Sequence, residues 1–504
     1  MADRRPNIIL IMSDQHNAHV MGCSGNGIVQ TPNLDELART GVHFTSTYCP
    51  YPLCVPSRMA FMTGQYPSTV NVWDNGSVLS SSIPTFAHAL GAAGYEADLC
   101  GRMHFVGPDQ FHGFEKRLFG DNGPFLSKEI CGHGFNRTNG QTKYAVEVSG
   151  HGNCGYQEYD RLVTEHACRF VDDHDPADRP YCLVVGYTLP HNPLICRRDL
   201  FEYYLERIPV PEPVSAEYLA KLNPGLRKWR ERRGVDDLTP EQNHRALAAY
   251  YGLVTEMDGN VGAIIEAART SAAGDNTVVI YCSDHGDHAC EHGMWWKSSH
   301  LEGSARVPLL VSCPGQPDGG RTVEAVVSLI DVGPTVLELA GADPLPDVAG
   351  RSLAGFLRRD SAPTDWPNEI FCEYIGAHGD QPSCMVRSGD WKLIYYAEFD
   401  SHLLYNLKTD PEELDDRAGD PVCAEIATTL LEKIHGRWSA AKMLEGGAKE
   451  RRAQALIRGC GHPLMPHPVP RPDPLERAHQ FDFSQVPNWP EIRTRFDDPP
   501  DAPS

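Results

Sequence analysis

The chain has 504 residues, more than a single hydrophobic core usually serves, so two or more domains are expected. Apolar residues are 41% of it and charged residues 22%, the balance of an ordinary globular protein. A formal charge of −22, from 45 basic and 67 acidic residues, excludes nucleic acid as the main partner and still allows a small anion in a local basic pocket.

The opening residues Met1 to Pro6 run into a strand without a signal-peptide apolar core, and no later apolar run is long enough to span a bilayer. A cytoplasmic protein with no membrane partner is expected. Sixteen cysteines are present without a C-x-x-C pair, which argues against a zinc ribbon or a thioredoxin-type site and for free thiols.

Asn7 to Ser13 reads as a buried strand that delivers Asp14 and Gln15 at its carboxyl end. A helix opens at Thr31-Pro32-Asn33 and is stopped by Gly41; a second follows at Cys54, and a third runs from about Thr85 to Ala93. Glu96 to Cys100 is a short strand leading into Gly101-Arg102-Met103-His104. From about Asp109 to Gly155 the pattern dissolves into Gly, Asn and His, as loops over a site would. A helix near Asp160 to Val171 precedes the strand Tyr181 to Tyr187, which ends in Leu189-Pro190-His191-Asn192-Pro193. Arg198 to Asp237, charged and interrupted by Pro, is expected to be a surface excursion. The longest helix, from about Glu241 to Ala272, feeds the strand Thr277 to Ser283, which stops at Asp284-His285-Gly286. Val307 to Ser312 is another core strand, and Asp331 to Leu339 a helix.

Alternating strand and helix point to an α/β fold over residues 1–360. Strand candidates at Glu369 to Tyr374, Cys384 to Arg387, Trp391 to Tyr396 and His402 to Leu407, then a helix near Val422 to Trp438, make 361–455 a small antiparallel α+β domain. Residues 456–504 are Pro-rich with scattered aromatics such as Trp489 and read as an extended arm. The arm is expected to clamp its own surface; the alternative is a neighbour's surface in a homo-oligomer.

The most informative stretch is Cys54-Val55-Pro56-Ser57-Arg58, closed by Met62-Thr63-Gly64. It puts a thiol at the start of a helix, an arginine one turn later on the same face, and Pro and Ser where a helix begins. That describes an anion site built around a nucleophile. The plainer reading is a small buried core cysteine. Ligands of open α/β sheets collect beyond the carboxyl ends of the strands, and Asp14, His104, His191 and Asp284-His285 each follow a predicted strand. Asp14, Gln15, Asp284 and His285 offer oxygen and imidazole ligands to a divalent cation; the oxygens favour Ca²⁺, the imidazole tilts towards Mn²⁺, and Mg²⁺ is tolerated. Singly, each Asp would be a cap or turn residue.

The C-x-P-S-R core with its trailing T-G resembles the maturation motif of the type I sulfatases, whose cysteine is oxidised to formylglycine by a separate maturation enzyme. The resemblance extends to Asp14-Gln15, Gly101 to His104, Pro190 to Pro193, Asp284 to Lys297 and Glu302 to Pro308. Trp73-Asp74-Asn75, Ser82 to Thr85 and Met103 to Glu115 resemble the choline-sulfatase-like branch. It implies the alkaline-phosphatase-like fold, a large mixed sheet flanked by helices, and metal-dependent hydrolysis of a small-molecule sulfate ester. By that resemblance Cys54, converted to an aldehyde hydrate, binds the metal and attacks sulfur, then releases sulfate by breaking its own C–O bond. His104 is the candidate base, Arg58 and Arg102 hold hydrate and anion, and His191 with Lys297 neutralise the departing oxygen. Asn75 is a candidate donor to a sulfate oxygen or to the metal shell.

Two departures matter. Gln15 stands where many sulfatases carry a second Asp, a feature shared with the phosphonate monoester hydrolases, and Arg102 replaces a lysine, keeping charge without a tunable pKa. Trp73, Trp295, Trp296 and His300 flank the site residues and are candidates for the leaving-group pocket, where aromatic walls suit an aryl group or a quaternary ammonium. Aryl and small alkyl sulfates are the expected substrates, with phosphonate monoesters or phosphodiesters as the alternative. A binding protein on a retired hydrolase scaffold is a third reading, opposed by retention of every polar candidate.

Overall fold

The apolar run at the start of the chain forms β1 (Asn7–Asp14), buried along its whole length. It lies inside an eight-stranded sheet with β2 (Val42–Phe44), β3 (Glu96–Gly101), β4 (Lys116–Phe119), β5 (Tyr181–Pro190), β6 (Thr277–Ser283), β7 (Leu309–Ser312) and β8 (Arg321–Val323). The order is β8-β2-β7-β6-β1-β5-β3-β4. The sheet is mixed: β1 is parallel to β5 and β6, whereas β7 runs antiparallel to both of its neighbours. The computed structural model describes residues 5–121, 138, 140–314, 319–358, 363–376, 379–459, 480–489 and 491–492.

Buried parallel strands need cover on both faces, which explains their unbroken Ile/Leu/Val composition. Helix α1 (Cys54–Thr63) is buried on all sides; α2 (Gly155–Asp173) packs on β5; α3 (Pro240–Thr270), 31 residues long, packs on α2 and β5. Thr239 caps α3 by accepting from the Gln242 amide, while the Gln242 side chain accepts from the Thr239 amide. Gly186 in β5 permits a close approach: a Cβ there would meet the Arg102 carbonyl oxygen at 1.7 Å. Any side chain at 186 would push Arg102 away from β5.

A separate antiparallel sheet, β9 (Glu369–Tyr374), β10 (Ser383–Ser388), β11 (Trp391–Tyr396) and β12 (Ser401–Asn406), is covered by α4 (Ala424–Arg437). Helix α5 (Ala440–Gly459), absent from the sequence reading, follows it. Its Gly446 lies against Trp73, where a Cβ would meet the indole at 2.4 Å.

Two segments hold more structure than expected. The segment Arg198 to Asp237 lies at the surface as expected, and it holds three helices, with Trp229, Arg230 and Arg233 buried. Most of its charged side chains, such as Arg198, Glu202, Glu217 and Lys221, stay exposed, while two turn inward: Arg230 bonds Asp236 and the His292 carbonyl (2.7 Å), and Arg233 stacks 4.2 Å from the Trp229 ring centre. The Gly- and Asn-rich stretch after Asp109 contains the edge strand β4 and a short strand, Gly150–Asn153; residues 122–137 lie outside the described set. The described part of the arm pairs Gln480–Phe481 with Gly152 and Asn153, and packs Val486 and Ile492 on Val148 of the same chain.

The two sheets are joined by a buried charge cluster. Lys392 Nζ of β11 lies 2.8 Å from Glu302 Oε1 and 2.8 Å from Glu413 Oε1. Burial pushes the Glu413 carboxyl up to about 7 despite the neighbouring ammonium. An unfolded chain releases that proton near 4.5 and the native one only near 7, so this group takes stability away from the native state as pH rises through that window. The expected slope is at most about 1.4 kcal/mol per pH unit. Urea unfolding at pH 5 and 7.5 should show a smaller pH difference in Glu413→Gln than in wild type; an identical difference would remove the assignment.

Candidate active site

Asp14, at the end of β1, and Asp284, just past β6, face each other because the two strands are adjacent and in register. Arg58, one turn into α1, spans them: its Nε donates to Asp284 Oδ2 at 2.8 Å and its Nη2 to Asp14 Oδ2 at 3.2 Å. All three side chains are fully buried. Such a bridge is tolerable in the interior only because each charge is paired and hydrogen-bonded. Ser57 Oγ donates to the Asp284 carbonyl, tying the first turn of α1 to the same loop.

Cys54, at the first position of α1, meets this cluster. Its Sγ is 3.2 Å from His285 Nε2, 3.7 Å from Asp14 Oδ1 and 3.1 Å from Lys297 Nζ. Burial and Asp14 raise the thiol pKa, but Lys297 and His285 outweigh them and it lies below its ordinary value. A thiol so placed has thiolate character. Asp14 is held well below the usual carboxylate range: burial opposes ionisation, and Arg102, His191, Lys297 and Arg58 together overcome it. Burial also works against protonation of His285, but Asp284 lifts it to about 9; a cation held here would take the place of that proton.

The donor set fits a divalent cation. Ligand atoms of Asp14, Cys54, Asp284 and His285 lie within 4.8 Å of one another. Gln15 Oε1 is buried with no hydrogen-bond partner among the described residues, while its Nε2 donates to Asp287 Oδ2 at 2.6 Å and to Asn192 Oδ1 at 3.2 Å. The amide is thus turned so that its oxygen, the ligating end, is left over.

Arg102, after β3, donates from Nε to Asp14 Oδ2 at 2.8 Å, and its Nη2 is 2.8 Å from His104 Nδ1. A guanidinium only donates, so Nδ1 accepts and the neutral ring carries its proton on Nε2, which has no partner among the described residues. Burial and then Arg102 keep His104 well below its ordinary pKa. Burial and Lys297 do the same for His191, whose Nδ1 is 2.6 Å from the Asn192 carbonyl. Gln15, His104, Trp296 and Ser298 all have positive φ, and strain of this kind gathers where surrounding structure must aim side chains at a site.

The remaining candidates sit further out. Asn75 Oδ1 accepts from the Val55 amide at 3.0 Å and so caps the start of α1. Trp73 is buried in the core cluster of the C-terminal sheet, under α5. His300 Nε2 is 2.9 Å from Ser383 Oγ in β10. Trp295 and Trp296 are fully buried; the first donates from its indole to Asn243 Oδ1 at 2.8 Å. Asp287 and Asn192, which orient Gln15, and Asp121, which accepts from the Met103 and His104 amides, were not singled out from sequence. Asp287 had a local signal, three positions past Asp284, and Asn192 lies inside the stretch Pro190 to Pro193; Asp121 had none.

The family model described as Sulfatase matches residues 6–342. The chain belongs to the sulfatase family. A second model, described as N-sulphoglucosamine sulphohydrolase, C-terminal, matches residues 290–439 of this sulfatase. It is 33% identical over 446 residues to a choline-sulfatase of Rhizobium meliloti (strain 1021), covering 84% of each chain. It is 27% identical over 457 residues to arylsulfatase K of Danio rerio, covering 84% of this chain and 83% of that one. The crystal structure of a phosphonate monoester hydrolase of Agrobacterium radiobacter shares the fold, with a TM-score of 0.72 at 24% identity over 88% of this chain and 96% of that one. The large mixed sheet with a smaller antiparallel one is the sulfatase architecture, and the protein is a sulfuric ester hydrolase. Among the described residues, no helix is long and apolar enough to cross a membrane.

Proposed function

We propose that this sulfatase hydrolyses aryl or small alkyl sulfate monoesters, releasing inorganic sulfate, with Cys54 converted to formylglycine and one divalent cation held by Asp14, Gln15, Asp284, His285 and the converted side chain. The observation that carries it is the position of Cys54 Sγ, between Lys297 Nζ at 3.1 Å and His285 Nε2 at 3.2 Å and beside Asp14. When bound, the cation and the formylglycine supply a Lewis acid and a hydrated nucleophile. Arg58 holds both carboxylates in place and keeps their geometry fixed as the anion enters. Arg102 and Lys297 offset the charge of the sulfate oxygens, and the first turn of α1 presents its positive end to them. His104 presents Nε2–H to an oxygen in the resting tautomer, so it acts as a base only after passing that proton on. Lys297 with His191 stabilises, on this reading, the oxygen that leaves with the alcohol.

Dialysis against a strong chelator should abolish turnover of an aryl sulfate, and Mn²⁺ or Ca²⁺ should restore it; full activity in demonstrably metal-free protein would remove the proposal. A second reading, phosphonate monoester or phosphodiester hydrolysis, is favoured specifically by Gln15, whose neutral amide leaves the cation one negative charge poorer than a second Asp would. The ratio of kcat/KM for an aryl sulfate and an aryl phosphonate with the same leaving group decides between them. We expect the sulfate to be the better substrate.

A further inference from the structure

A cavity of about 600 Å³ opens at the seam between the two sheets, and none of the groups around Cys54 lines it. Among its lining residues is Arg387 of β10, only 7% exposed, whose Nε and Nη1 have no hydrogen-bond partner among the described residues. Arg306 adds another Nε–H without a partner among the described residues, its Nη1 being 3.0 Å from His19 Nε2. The buried carboxylate of Glu302 also lines the cavity; it is engaged by Lys392 at 2.8 Å, by the Tyr48 hydroxyl at 3.2 Å and by Arg306 Nη1 at 3.7 Å, so it competes for only part of the local positive charge. The acidic groups at the rim are Glu324 and Asp390, and Asp390 lies 3.9 Å from Lys408. The wall is apolar: Phe356 and Trp366 meet edge to face at 5.1 Å, and the indole N–H is committed to the Val326 carbonyl at 3.0 Å, so the Trp366 ring offers only carbon surface.

A buried guanidinium with unmade hydrogen bonds is costly, and an oxyanion repays it with charge-assisted acceptors. The volume is that of a small-molecule site, and its lining is mixed: Phe356, Pro363 and Trp366 supply apolar surface, and Arg306, Arg387 and Glu302 supply charged groups. We propose that this cavity is a second ligand site, taking a small organic carboxylate whose charge meets Arg387 and Arg306 and whose aromatic ring lies along Trp366 and Phe356. It is independent of the reaction assigned to Cys54.

The test titrates benzoate, benzylamine and inorganic sulfate into the full-length protein, following heat and tryptophan fluorescence, with wild type, Arg387→Met and Trp366→Leu. Benzoate should bind wild type, and each substitution should weaken it roughly tenfold or more, with aryl sulfate turnover retained. Benzylamine should not bind. Benzoate affinity unchanged by Arg387→Met, or no benzoate binding to wild type, overturns the site. Sulfate binding as well as benzoate, lost in Arg387→Met and kept in Trp366→Leu, overturns the aromatic half. If Arg387→Met does not fold, Trp366→Leu decides alone: weakened benzoate binding supports the site and unchanged binding removes it.

Discussion

Cys54→Ala should lower turnover of an aryl sulfate by roughly 10⁴-fold or more, because the whole arrangement around position 54 serves one nucleophile. Sγ touches Lys297, His285 and Asp14 at once, and no other described side chain occupies that point. The loss should be chemical and not structural: α1 keeps its Asn75 cap, its Ser57 contact and the Arg58 bridge. The thermal midpoint of the variant should therefore stay near that of wild type. Peptide mass measurement provides the companion result, since conversion of the thiol to formylglycine lowers the mass by about 18 Da. Equal activity of the two proteins, or an active wild type whose Cys54 alkylates fully as a thiol, would sink the proposed chemistry.

The second large effect is on stability. Lys392→Met should cost about 3–5 kcal/mol, since it leaves Glu302 and Glu413 buried side by side without their shared cation. Replacing all three with apolar residues of similar volume should recover most of that loss, because the cluster's desolvation is then no longer incurred. Denaturant unfolding measures both. A loss below about 1 kcal/mol in the single variant would mean that the two carboxylates find other partners or take up protons at little expense.

What sequence reading captured followed burial. β1 and β6 are continuous apolar runs because both faces of a parallel sheet are covered, and the strand-end rule then brought Asp14 and Asp284 to one edge. β9 and β11 were legible to the residue, being rich in β-branched and aromatic residues between turn signals. Helix α5 was not, since its sequence holds the pair Gly446-Gly447 and little amphipathic pattern; what holds it is tertiary packing on Trp73. Within the site, residues that face the thiol were identifiable by type and placement. Residues that act through another group were legible only in place, not in role: Asp287 and Asn192 lie in stretches the sequence marked, but that they work by turning the Gln15 amide is seen only in three dimensions. Trp73 and His300 show the opposite limit. Neighbouring a site residue in the chain says nothing about direction, and both side chains turn to the C-terminal sheet.

The contact of Gly446 with Trp73 sets a limit on how this enzyme can be cut down. Trp73 precedes the Asn75 cap of α1 by two residues, so α5, the last long helix among the described residues, acts as a lid nail for the loop that aligns the nucleophile. A protease or an engineer that removes everything after α4 would strip an indole of its cover two residues from that cap, and a minimal catalytic fragment has to keep residues beyond 440.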